Sequence, residues 1–123
     1  MPTSAAAALE RVRKLCLSFP EASERPSHGA PCFFIRRTRS FVMFVDNHHG
    51  DGRLALWCAA PAGAQAMLVE ANPDVYFVPP YVGPSGWIGV RLDRRASWKE
   101  VAAVIEQAFR ARAPRTVLRQ LEE

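Results

Sequence analysis

The chain is short of cysteine, nearly without lysine and free of long apolar runs, and each shortage excludes something. Cys16, Cys32 and Cys58 are odd in number, widely spaced and form no C-x-x-C pair. Such a set builds neither a disulfide framework nor a zinc ribbon and reads as reduced thiol in a cytoplasmic protein. Cys16 and Cys58 fall in apolar patterns, where core packing explains them. No run approaches the ~20 apolar residues that span a bilayer, so no membrane association is expected. The Ala5–Leu9 run is cut at once by Glu10, Arg11 and Arg13, which is not the pattern of a secretion signal. There is also no H-x-x-x-H pair, no Walker loop and no G-x-G-x-x-G, so no cofactor, metal or catalytic residue is assigned.

What is present describes an ordinary globular domain. With 123 residues, 49% hydrophobic and 23% charged, residues 1–123 are expected to form a single domain with a real core. Of 16 basic residues only Lys14 and Lys99 are lysine. The net charge of +4 therefore rests on arginine, whose planar fork suits phosphate. A solvated charged surface accounts for the same numbers, because net charge constrains partners weakly.

Periodicity gives the order of elements. Leu9, Val12, Cys16 and Phe19 make one helical stripe, capped by Thr3 or Ser4 and ended by Pro20. Pro20 to Pro31 reads as a loop. Cys32–Arg36 and Phe41–Val45 read as a hairpin, and the turn Asp46 to Gly52 leads to a third strand, Arg53–Cys58. Pro61 suits a first helical position, with Met67, Leu68 and Ala71 as the apolar face. Val75–Val78 and Trp87–Leu92 are short strands around the proline-rich turn. Ser97 and Glu100 fit a capping box, followed by the stripe Val101, Val104, Ile105, Ala108 and Phe109. Pro114 ends that helix, and a short terminal one follows. The mixed order with hairpins indicates α+β, an antiparallel sheet with helices on one face.

Leu17-Ser18-Phe19-Pro20-Glu21-Ala22, His28-Gly29-Ala30-Pro31-Cys32-Phe33-Phe34, Phe41-Val42-Met43-Phe44, Pro79-Pro80-Tyr81-Val82 and Gly86 to Leu92 resemble the MmcQ/YjbR family in order and spacing. The resemblance implies a fold similar to the CyaY type. It also implies a DNA-binding role through two protruding hairpin loops, with no reaction attached.

The candidate residues follow from that. Arg36, Arg37 and Arg39 crowd the first hairpin turn, while His48, His49 and Arg53 occupy the second loop and Arg94 and Arg95 a third turn. Between Arg91 and Arg119 basic residues exceed acidic ones. One electropositive face carrying Arg37, Arg39, His48 and His49, making phosphate contacts with DNA, is the expectation. Two alternatives come from other classes. His28, Tyr81 and Trp87 could line a ligand pocket or active site. An exposed apolar patch would instead indicate a protein-interaction or dimerisation domain, leaving monomer and homodimer both open. Asp46, His48, His49 and Asp51 have ligand chemistry but are explained as turn residues.

Overall fold

The computed structural model describes residues 4–122; Thr3, an alternative cap, lies outside them. Helix α1 spans Ala5–Leu17, with the Ser4 hydroxyl accepting from the Ala7 N–H at 3.1 Å. Ala8, Val12 and Cys16 are its buried line. Strands β1 (Ala22–Ser27), β2 (Ala30–Ile35), β3 (Arg39–Asp46) and β4 (Leu54–Cys58) form a meander. Helix α2 (Ala64–Ala71), β5 (Tyr76–Phe77), β6 (Ile88–Arg91), α3 (Trp98–Arg112) and the short α4 (Arg115–Leu118) complete the described chain. The sheet order is β1-β2-β3-β4-β6-β5, and each neighbouring pair is antiparallel. The α+β class expected from the sequence is the class observed.

The segment read as a loop from Pro20 to Pro31 is instead strand β1, paired along its length with β2. Its sequence, Ala-Ser-Glu-Arg-Pro-Ser, is polar because this is an edge strand, where Pro26 needs no ladder donor on its open side. His28 and Gly29 close the hairpin with φ of 52° and 79°, the two-residue geometry that matches strand twist. A second difference is local. Helix α2 starts at Ala64 behind Gly63, so Pro61 precedes the helix, and Met67 and Ala71 face solvent while Leu68 and Val69 turn inward. The Ser97–Glu100 cap is present: Glu100 N–H donates to Ser97 Oγ at 3.1 Å, and that hydroxyl lies 3.3 Å from the Glu100 carboxylate.

One face of the sheet carries the main core with α1, α3, Leu68 of α2 and Val117 of α4. A bulge opposite Phe33 and Phe34 places Phe41 and Val42 both toward this core, each fully buried. Phe41 then meets Phe109 edge-on at 5.5 Å, and Phe19 stacks on Phe109 at 4.5 Å. The opposite face holds a smaller cluster, Val45, Ala55 and Trp57, covered by Val82 and Trp87 from the β5–β6 connection. Gly89 lies under the Phe77 ring, where a Cβ would overlap it. Among the described residues no helix is long and apolar enough to cross a membrane.

Successive antiparallel hairpins turn at alternate ends of a sheet. The β2–β3 turn (36–38) therefore lies at one end and the β3–β4 loop (47–53) at the other, separated by the eight residues of β3. At 3.4 Å per residue that is roughly 24 Å.

Candidate nucleic-acid interface

This separation divides the expected interface. Arg36, Arg37 and Arg39 stand at one end, and His48, His49, Arg53, Arg94 and Arg95 at the other. The expected single face joining Arg37, Arg39, His48 and His49 is not formed, because the loops are consecutive and hairpins alternate.

The Arg36 end gains charge that the linear order did not associate with it. Arg25 reaches from β1 across the Phe34 ring, 3.7 Å from its centroid, and donates to the Arg37 carbonyl. Arg39 donates to the Arg112 carbonyl at 3.2 Å, and Arg112 donates back to the Ser40 carbonyl at 2.9 Å. Arg36 bonds Glu21 at 3.1 Å and Thr116 Oγ1 at 2.9 Å, which ties the start of α4 to this turn. These carbonyl contacts orient guanidiniums without neutralising them. Among the described residues Glu21 is the one carboxylate paired with any of Arg25, Arg36, Arg37, Arg39 and Arg112. Its carboxyl is held below the usual range by hydrogen bonds from Arg36 and then Gln120. Arg36 and Arg37 both sit at positive φ, 51° and 65°, where a side chain is strained. Arg25 lies in the segment that reads as a loop, and Arg112 in the stretch between Arg91 and Arg119 where the sequence shows only an excess of base.

The His48 end is different. Arg91 bonds Asp93 at 3.0 Å, Arg94 pairs with Asp74 at 3.5 Å, and Arg53 lies on the Phe77 ring at 4.2 Å. Asp93, Asp74 and Asp51 all hold the Arg91 guanidinium in its charged form, the Asp93 hydrogen bond most strongly. Burial works to raise the Asp93 carboxyl, but bonds from Arg91 and the Leu54 N–H outweigh it, and the carboxyl lies below its usual value. With Asp46 at the end of β3 and Asp51 in the β3–β4 loop, acid is interleaved with base throughout this end. His48 turns inward, edge-on to Trp57 at 4.7 Å, while His49 is exposed. Among the described residues no three His, Cys, Asp or Glu side chains converge on a metal position.

The alternative ligand residues do not share one cavity. His28 lines a shallow cleft of about 370 Å³ with Ala5, Pro31, Asp46 and His48. Trp87 lies between the two apolar clusters. Tyr81 is 74% exposed, its ring 6.5 Å from Trp57 and 6.0 Å from His48. Cys32 is buried, and burial pushes its thiol up to about 11, so at neutral pH it is a protonated packing group.

Comparison with known proteins agrees with this architecture. The family model described as YjbR matches residues 17–111. Deinococcus radiodurans protein DR2400, a DUF419 domain, has a similar crystal structure. The TM-score is 0.73 at 14% identity, covering 93% of this chain and 87% of that one. At that identity the likeness concerns the fold alone. No curated protein matches the sequence.

Proposed function

The chain belongs to the YjbR family, and from that premise we propose that it binds nucleic acid without catalysing a reaction, gripping phosphates with the arginine cluster at the Arg36 end. The observation that carries this reading is the grouping of Arg25, Arg36, Arg37, Arg39 and Arg112 around one turn with Glu21 as their paired carboxylate. Each guanidinium has five donors, so one anchored to a backbone carbonyl still offers a fork to a phosphate. Anchoring also lowers the entropy lost when that fork is filled. Beneath the turn, the Phe19, Phe41 and Phe109 cluster gives rigid support. The strained φ of Arg36 and Arg37 fits the same reading, because glycine or asparagine would fill those positions at lower cost. Contact with the backbone alone makes binding weakly dependent on base sequence.

Fluorescence anisotropy with a labelled random duplex and a labelled single strand, at ~50 and ~200 mM salt, tests this. Binding should weaken steeply with salt, and Arg37→Ala/Arg39→Ala should lower the log–log slope by about two, one per lost phosphate contact. An absence of binding at low salt would sink the proposal.

A further inference from the structure

Away from both ends, a groove of about 350 Å³ runs between α2 and α3. That volume lies at the small end of the roughly 300–1,000 Å³ of ligand pockets. Its walls include Met67, Leu68 and Val104, with Ile88 and Tyr76 from the sheet below. Helix α2 has no buried residue, and Met67 is 64% exposed, so this apolar surface is left open to solvent. Among the described residues Glu100 is the only charged one lining the groove, and Gln107 adds an amide. The Glu100 carboxylate accepts from Ser97 Oγ at 3.3 Å and from the Tyr76 hydroxyl, and of its roughly four lone-pair sites two remain for a ligand. Tyr76 is 7% exposed, and burial, then the charge of Glu100 and a hydrogen bond to it, hold its phenol above the ordinary value.

We propose that the groove between α2 and α3 binds a small amphiphilic cation, its ammonium head on the Glu100 carboxylate and its short apolar body against Met67, Leu68 and Val104. The sign follows from the lining: in a chain of net charge +4, this groove presents a carboxylate and no basic side chain. An anionic ligand would meet Glu100 unopposed. A neutral one would gain the apolar contact but no ion pair with the carboxylate. The unbranched Met67 side chain adapts to the length of the body. None of the arginines of the Arg36 end lines the groove, so this site stands apart from the nucleic-acid reading.

Isothermal titration calorimetry with hexylammonium chloride, hexanol and sodium hexanoate discriminates these cases. Hexylammonium should bind roughly fivefold tighter than hexanol, the scale of one partly exposed charge pair, and hexanoate should bind weakest. Glu100→Gln keeps the Ser97 cap and should bring hexylammonium down to the affinity of hexanol. Ala103→Phe, at an exposed position on the rim, should fill the groove and remove all three while the melting temperature is kept. Equal affinity for hexylammonium and hexanol, no binding of either, or binding untouched by Ala103→Phe would overturn the proposal.

Discussion

The two ends of the sheet hold comparable amounts of arginine and very different amounts of acid. Around the Arg36 turn, guanidiniums are anchored mostly by carbonyl oxygens, so their charge survives. Around the β3–β4 loop, Arg91 and Arg94 are met by Asp93 and Asp74, and Asp46 and Asp51 stand close by. An arginine held by a carbonyl remains a cation to a phosphate. One held by a carboxylate is largely a dipole at a distance. The partner of each arginine, more than the number of arginines, therefore sets the field at each end.

Charge reversal should break that contrast with the largest effect. Arg37→Glu/Arg39→Glu is expected to weaken duplex binding at least roughly a hundredfold at ~50 mM salt, the worth of two counterion-releasing contacts. Arg94→Glu/Arg95→Glu should change it less than about threefold, because those side chains make no phosphate contact in the proposal. Equal losses in the two anisotropy titrations would mean that net charge, and not the Arg36 end, governs binding. The converse change removes acid from the other end. Asp51→Asn/Asp74→Asn should raise low-salt affinity several-fold and steepen the salt dependence, as a second basic surface appears.

Stability sharpens the comparison further. Asp93→Asn is expected to cost about 1 kcal/mol at pH 7, since a charge-assisted bond to Arg91 is lost at a partly exposed site. The sign with pH follows from the lowered Asp93 carboxyl. Its contribution is whole above the ordinary aspartate value of about 3.9 and is lost as pH falls through the lower folded value. Urea unfolding from pH 7 down to pH 2 should show wild type and variant converging only in the acid range. The smallest effect is expected at the Arg36 end. Arg37→Gly relieves a positive φ of 65° and should raise stability by about 0.5 kcal/mol while weakening nucleic-acid binding. A variant that gains in both thermal melts and anisotropy would remove the functional explanation for the strained arginine.

Much of the architecture was legible because periodicity reports burial directly. The stripe Val101, Ile105, Ala108 and Phe109 is the buried line of α3, and the apolar runs around Phe33, Phe41 and Leu56 are the central strands. Strand β1 was not legible, since an edge strand with Pro26 and charged neighbours carries no apolar signal of its own. Its recognition requires β2 as a template. The same limit hid Arg25 from the arginine cluster. The inward turn of His48 onto Trp57 also depends on a residue in another strand.

By itself, then, the sequence determined the α+β class, the stripes of α1 and α3, the Ser97 cap and the family, all of which rest on patterns local in the chain or on the order of such patterns. Tertiary structure alone decided which arginines meet, which carboxylates neutralise them, and that a groove opens between α2 and α3. Those depend on pairings such as Arg36 with Thr116 and Arg39 with Arg112, which lie 80 and 73 residues apart. Local propensity carries no information over such separations; strand order and helix packing fix them.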